Sequence, residues 1–204
     1  MPTKRQKISS IILAAGGSSR LNGEPKQLLE FQGKTFLRRS AEIAVAANFH
    51  STVVVLGANS ENLGKEIEDL PVRIAVNENW ASGMSSSIKT GLAELIKEEN
   101  LEAVVIMLCD QPLVTTKTLG NLCEVFAKTG KPIAACEYEN TVGVPALFSS
   151  EVFAELLNLH ESEGAKKIIE KYAGKTALVA APEAALDIDM LKDYEKLKRL
   201  TFPA

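Results

Sequence analysis

A small-residue loop followed by two cations is the clearest chemical feature of the sequence. Residues 13–29 read LAAGGSSRLNGEPKQLL, and the small residues leave backbone N–H groups open to close approach by an anion. The Arg20 guanidinium could bridge two phosphate oxygens, and the Lys26 ammonium could follow charge onto a leaving group. The spacing matches neither G-x-G-x-x-G nor G-x-x-x-x-G-K-[ST], so it indicates neither a dinucleotide fold nor a P-loop kinase. The loop predicts a phosphate site of another type, with a flexible turn carrying two solvated cations as the alternative.

Three aspartates are candidate ligands for Mg²⁺. Asp110 follows the apolar run AVVIML, which predicts a carboxylate at the carboxyl end of a strand. Asp187 and Asp189 form a D-x-D pair, and alternate residues of an extended segment share a face. Because Mg²⁺ keeps several waters and takes one or two carboxylates plus substrate phosphates, two of these acids would be enough. The alternatives are that Asp110 caps a turn and that Asp189 caps the final helix.

The stretch NENWASGMSSSI, residues 77–88, marks a second loop beside a helix. It ends a predicted strand and opens a predicted helix, so the backbone donors of residues 83–86 would face a ligand at the helix N-terminus. Ordinary N-capping explains the serines as well, and Trp80 could be a core anchor with no ligand contact.

Apolar runs rich in β-branched residues alternate with stretches of helical period along the chain. The predicted strands are 8–14, 52–57, 72–77, 103–109, 132–138 and 176–181, and the predicted helices are 35–47, 61–70, 86–98, 116–128, 163–172 and 189–200. Such alternation predicts an α/β fold with three layers, a doubly wound and mostly parallel sheet covered by helices on both faces. The segment 143–148 breaks the alternation and predicts an extra strand or hairpin. Ligands of such sheets bind beyond the carboxyl ends of the strands.

Composition and charge limit the classes of function. The 204 residues carry 23 basic and 26 acidic side chains, interspersed, without the basic stripe that nucleic-acid phosphates require. No apolar run approaches the roughly 20 residues of a membrane-spanning helix, so we expect neither nucleic acid nor a membrane as a partner. Cys109, Cys123 and Cys136 lie in apolar stretches without metal-type pairing, which favours the reducing cytoplasm. The alternative, a signal peptide at KRQKISSIILAA, would remove the first predicted strand upon cleavage.

Taken together, the motifs resemble one family. The loop at residues 13–29 is similar to the L-A-[AG]-G-x-S-x-R-[ML]-G-x-P-K-x-L-L signature of the MobA-like nucleotidyltransferases. NENWASGMSSSI, CDQP, GVPALF and LDID recur in the same order in that family, so the resemblance implies one such Rossmann-like domain over residues 1–204. The sequence departs from the family pattern at residues 21–23, at Val144, where histidine is frequent, and at residues 162–165. These departures are compatible with nucleotide binding and leave the acceptor open.

The resemblance assigns roles to individual residues. It implies that the nucleotide is bound by Leu13, Ala14, Ala15, Gly16, Gly17, Arg20, Lys26, Asn77, Gly83, Ser86 and Asp110. The implied catalytic residues are Arg20, Lys26 and Asp110. Mg²⁺ would be held by Asp110 and by Asp187, which stands where related nucleotidyltransferases carry D-x-G-T, with Asp189 as the alternative. Gly143 and Pro145 would shape the acceptor pocket.

The resemblance also implies a reaction. Members whose first motif reads A-A-G tend to use CTP and those with A-G-G tend to use GTP, and this sequence has A-A-G. Transfer of CMP from CTP to the phosphate of the molybdopterin cofactor would release pyrophosphate and supply a molybdenum hydroxylase apoenzyme. The alternatives are another phosphorylated acceptor, such as a sugar phosphate or phosphocholine, and a non-catalytic nucleotide- or cofactor-binding chaperone. A Rossmann-type oxidoreductase is a more distant alternative, because the glycine fingerprint is absent.

Overall fold

A seven-stranded sheet forms the centre of the computed structural model, which describes residues 6–17, 25–161 and 163–200. The strands in these ranges are β1 (Ile8–Ala14), β2 (Glu30–Phe31), β3 (Lys34–Thr35), β4 (Thr52–Leu56), β5 (Arg73–Val76), β6 (Ala103–Leu108), β7 (Ile133–Tyr138), β8 (Thr141–Ser149) and β9 (Thr176–Ala180). The α-helices are α1 (Phe36–Ala46), α2 (Ser60–Lys65), α3 (Met84–Leu95), α4 (Thr116–Thr129), α5 (Phe153–Leu157), α6 (Ala165–Lys171) and α7 (Leu191–Arg199). β2 and β3 form a separate hairpin.

The order of strands in the sheet is β5-β4-β1-β6-β8-β7-β9. β8 runs antiparallel to both of its neighbours, and the other pairs are parallel. The chain therefore moves from β1 outward to β4 and β5, and then crosses back to β6 on the other side of β1. This reversal creates a switch point, and ligands of such sheets bind in the crevice beyond the carboxyl ends of the strands there. The segments that follow β1 and β6 are thus brought to one place.

Neighbouring residues of the central strands belong to opposite cores. Ile12 packs in a cluster with buried side chains of α1, α2 and α4, whereas Ile11 packs in a cluster with those of α3, α5 and α6. Because the sheet is covered on both faces, its central strands are mostly apolar, as in the fully buried run TVVVL of β4. A third cluster joins Phe31 of the hairpin to Leu197 of α7. The structure confirms the three-layer, doubly wound and mostly parallel α/β fold.

The predicted elements agree with the observed ones to within a few residues at most boundaries, and the segment 143–148 lies in β8. The β2–β3 hairpin and α5 lie outside the sequence prediction because they are too short to show a period. One alternative is wrong: the N-cap residue of α7 is Met190 instead of Asp189, and the Met190 N–H donates to Asp193 Oδ2 at 2.9 Å. No helix in the described part of the chain is long and apolar enough to cross a membrane.

Gly91 in α3 tests how tightly this helix packs on the sheet. A Cβ there would lie 2.6 Å from Ile11 Cγ2 and 2.9 Å from Val55 Cγ2. We expect Gly91→Ala to lower the free energy of unfolding by about 1–3 kcal/mol, because overpacking outweighs the helix propensity gained. Gly120→Ala in α4 is the matched control, since nothing lies within 4 Å of its Cβ position, and it should raise stability by about 1 kcal/mol. Urea denaturation measures the free energy of unfolding of both variants. Changes of the same sign in the two variants would contradict the packing argument.

Candidate functional site

A cavity of about 320 Å³ opens beyond the carboxyl ends of β1 and β6. Its walls include residues 13–17 and 108–110, Lys26, Gln27, Trp80, Gly83 and Met84. The first loop, Lys26, Gly83 and Asp110 therefore meet at the switch point. Arg20, the other predicted cation, lies outside the described residues.

A second, larger cavity of about 740 Å³ lies at the opposite end of the sheet and includes Lys7, His50 and Glu99 in its lining. It contains none of the residues that the motifs single out. Because the ligands of doubly wound sheets bind at the carboxyl ends of the strands, the smaller cavity is the candidate functional site.

Gln27 fixes the loop that follows β1. Its buried Nε2 donates to the carbonyl oxygens of Ala14 and Gly16, both at 2.8 Å. With these two carbonyls held by one amide, the backbone of residues 14–16 has a defined course beside the cavity. Sequence reasoning missed Gln27, and the signal that could have found it is its place directly after Lys26, where a buried amide can reach back to the loop.

Lys26 is held between two of the predicted acids. Its Nζ forms a close ion pair with Asp110 Oδ2 and a second ion pair with Asp189 Oδ1 at 3.3 Å. Burial alone would lower the pKa of the Lys26 ammonium, but the charge of Asp110 and the hydrogen bond to it outweigh burial and hold the pKa above its usual value. Lys26 is therefore a permanently charged group at the floor of the cavity.

The carboxylates beside Lys26 have the chemistry of a divalent-cation site. Asp110 is 8% exposed, and its Oδ1 has no hydrogen-bond partner among the described residues. Asp187 and Asp189 flank the buried Ile188, whose N–H donates to the Asp110 carbonyl at 3.0 Å and ties the two segments together. Although Asp187 exposes much of its surface, the protein around its carboxyl group and then the charge of Asp110 raise the pKa of Asp187 to about 6. An unpartnered carboxylate oxygen near a second carboxylate fits a bound Mg²⁺.

Asn77 and Ser86 build the second loop. Asn77 Nδ2 donates to Ser86 Oγ at 2.7 Å and to Ser87 Oγ at 2.9 Å, and Asn77 Oδ1 accepts from the Asn79 N–H at 3.0 Å. Gly83 has φ of +119°, a value that side chains disfavour, and it lines the cavity together with Ser87. The hydrogen bonds of Asn77 and Ser86 described here hold the loop together. Their contacts with a nucleotide stay a prediction.

Trp80 is a cavity residue that sequence reasoning left as a possible core anchor. It begins the short 3₁₀ helix Trp80–Ser82 and is 36% exposed, so its indole is a wall of the cavity rather than part of the core. The signal was its position inside the NENWASGMSSSI loop, between a strand end and a helix start.

The predicted acceptor residues lie on the far side of Asp110. Gln111, only 2% exposed, donates from Nε2 to the Val144 carbonyl at 3.2 Å, and the Tyr138 hydroxyl donates to the same carbonyl at 3.1 Å. A Cβ at Gly143 would lie 2.6 Å from the Tyr138 hydroxyl, so a side chain at this position would displace that hydroxyl. Gly143 and Pro145 are thus joined to the Asp110 loop through Gln111, while the acceptor itself stays a prediction.

A comparison with protein families decides what this arrangement is. The model of the MobA-like NTP transferase domain matches residues 10–177, which include both loops and Asp110. The chain belongs to the MobA-like NTP transferase family. Its fold is accordingly that of a nucleotidyltransferase domain, and the resemblance found in the motifs is confirmed.

Solved structures and one curated relative are also similar to this chain. Rv0371c from Mycobacterium tuberculosis is 31% identical with a TM-score of 0.83, and the match covers 95% of this chain and 98% of that one. A structure of Rv0371c in complex with manganese is 28% identical with a TM-score of 0.77, covering 96% and 100%. Nicotine blue oxidoreductase of Paenarthrobacter nicotinovorans is 36% identical over 115 residues, which are 56% of this chain. The match spans only about half, 55%, of that relative's own length.

Proposed function

We propose that this domain moves a cytidylyl group from CTP to the phosphate of a molybdopterin-type acceptor and releases pyrophosphate. The observation that carries the proposal is the meeting of the small-residue loop, Lys26 and Asp110 in one cavity of a MobA-like domain. Such a cavity suits a nucleoside triphosphate, because loop N–H groups and a cation can bind the phosphates while a carboxylate is placed to hold their metal.

The proposed step is an in-line displacement at the α-phosphorus of CTP. An oxygen of the acceptor phosphate forms the new bond, and the bond from the α-phosphorus to the bridging oxygen breaks, so pyrophosphate leaves with the electron pair. Lys26 stabilises the charge that develops on the leaving group, and Arg20 supplies a second cation. The reaction needs no covalent intermediate on the protein, since alignment and charge stabilisation are the main contributions to phosphoryl-type transfer.

Asp110 and Asp187 are the proposed ligands of Mg²⁺. Within the described ranges Asp110 Oδ1 has no hydrogen-bond partner, and this oxygen and the raised pKa of Asp187 both fit a site that receives a cation. When bound, the ion would neutralise phosphate charge and polarise the reacting phosphoryl group. Asp189 is the alternative ligand, although it already pairs with Lys26. The manganese complex of the relative Rv0371c supports the use of a divalent metal.

The proposed base is inferred from the first motif, and the proposed acceptor from the residues on one side of the cavity. CTP follows from the A-A-G form of the first motif, whose Ala14 and Ala15 line the cavity. The acceptor would enter from the side of Gly143 and Pro145, which Gln111 connects to Asp110. Its product, a molybdopterin cytosine dinucleotide, would then pass to a molybdenum hydroxylase apoenzyme.

One comparison favours a second candidate, a redox reaction. The relative from Paenarthrobacter nicotinovorans is named as an oxidoreductase, and it is 36% identical to this chain over 115 residues. A nicotinamide dinucleotide would then replace CTP. The described part of the first loop lacks the spacing of the dinucleotide fingerprint, so this candidate ranks second.

Pyrophosphate release tests the proposal and separates the candidates. The protein is incubated with Mg²⁺ and CTP, GTP, ATP or UTP, with and without molybdopterin. In parallel, NADH and NADPH are supplied with a quinone-type dye that takes up the two electrons and the proton, and their oxidation is followed. We expect CTP-selective release that requires the acceptor. Calorimetric binding of CTP without release would indicate another phosphorylated acceptor or a nucleotide-binding chaperone, oxidation of a reduced dinucleotide would favour the redox candidate, and failure to bind any nucleotide would refute the proposal.

A further inference from the structure

Trp80 is a large apolar side chain left partly open to solvent at a polar site. It is the single tryptophan of the chain, and its indole lines the cavity beside the first loop. Leaving an indole exposed forfeits the burial of a large apolar surface. We therefore expect the Trp80 indole to become buried when a flat, apolar group binds in the cavity.

Two glycines make room for this indole. A Cβ at Gly17 would lie 2.9 Å from Trp80 Cζ3 and 3.0 Å from Cη2, and a Cβ at Gly57 would lie 2.6 Å from Trp80 Cβ and 2.8 Å from Cγ. The ring therefore contacts the ends of both β1 and β4 at positions where side chains are missing. A side chain at either glycine would displace the indole, so the open backbone at these two positions lets the ring lie beside the first loop.

The cavity has an aromatic side and a charged side. Gly57, under the indole, follows β4, whereas Asp110 follows β6, and β4 and β6 lie on opposite sides of β1. Strands are about 4.8 Å apart, so these two ends are separated by roughly 10 Å across the sheet. The Lys26 ammonium pairs with Asp110 on the charged side. A nucleoside triphosphate has the same asymmetry, with a flat base at one end and its charge at the other.

We propose that Trp80 is the surface against which the nucleobase stacks. This inference rests on the proposed function, since it requires a nucleotide in the cavity. An indole can stack on the π-face of any base, so Trp80 contributes to affinity for the nucleotide. Selectivity between bases depends on groups that contact the edge of the base.

The single tryptophan makes the test direct. Tryptophan emission of the wild-type protein is titrated with CTP and, as a probe without a base, with inorganic tripolyphosphate, while calorimetry measures both affinities. We expect CTP to change the emission on binding and tripolyphosphate to bind without that change. Equal changes in emission with both compounds would overturn the inference, because the signal would then report phosphate binding alone.

Variants at Trp80 distinguish stacking from a structural role. By calorimetry, Trp80→Ala should bind CTP about 5- to 150-fold more weakly, whereas Trp80→Phe should keep most of the affinity and tripolyphosphate should bind both variants as it binds the wild type. An equal loss for CTP and tripolyphosphate, or unchanged CTP affinity in Trp80→Ala, would contradict stacking and leave the proposed function standing. If the wild type binds tripolyphosphate but no nucleotide, the proposed function fails first.

Discussion

Asp110→Asn is expected to lower kcat for pyrophosphate release by about 10²- to 10³-fold or more, the scale found when one preorganised electrostatic group is removed from an active site. Asp110 is the acid that lies at the end of β6 and pairs with Lys26, and its second oxygen is unpartnered within the described ranges. The change removes the charge and keeps the shape. The fold should tolerate it, because Lys26 retains Asp189 as a partner.

The two acids of the D-x-D pair provide the comparison for this prediction. Asp187→Asn should also reduce kcat strongly and weaken Mn²⁺ binding. Asp189→Asn should have a smaller effect, because Asp187 is the proposed second ligand and the Asp189 side chain is 58% exposed. Initial rates and Mn²⁺ titration followed by electron paramagnetic resonance measure these effects, with thermal unfolding to check the fold. Full activity in Asp110→Asn would refute the metal site. A larger loss of kcat and of Mn²⁺ binding in Asp189→Asn than in Asp187→Asn would show that Asp189 is the second ligand.

Lys26→Met is expected to reduce kcat/KM by roughly 10²-fold, because a cation that faces the leaving group is lost. The substitution also leaves Asp110, Asp187 and Asp189 without this cation. Removing one partner of a largely buried ion pair costs about 3–5 kcal/mol of stability, so the variant should unfold at a lower temperature in the presence of a chelator. Mn²⁺ should then raise its melting temperature more than it raises that of the wild type, since a bound ion stabilises the folded state and the competing ammonium is gone.

Thermal unfolding with and without Mn²⁺ measures this difference. Lys34→Met is the matched control: Lys34 forms an ion pair with Glu42 at the surface, and it does not line the cavity, so its loss should change stability little and leave the response to Mn²⁺ as in the wild type. An equal Mn²⁺ response in Lys26→Met and wild type would show that the ammonium does not compete with the metal.

Much of the fold could be predicted because its signals are local. The apolar run of β1 between residues 8 and 14 and the helical period of α4 from residue 116 are visible in the sequence itself. The first loop could be singled out for the same reason, since its small residues and cations lie within one stretch. The hairpin of β2 and β3 and the short helix α5 could not, because elements of two to five residues contain too little of a period.

The sequence by itself determined the alternation of strands and helices, the small residues of the first loop and the family. Only the tertiary structure decided which side chains meet. Lys26 is 84 residues from Asp110 and 163 from Asp189, and their contact depends on the order of strands around β1 and on the return of the final segment. Trp80 changed from a possible core anchor to a wall of the cavity, because its exposure depends on how it packs against Gly17 and Gly57, which lie in distant segments.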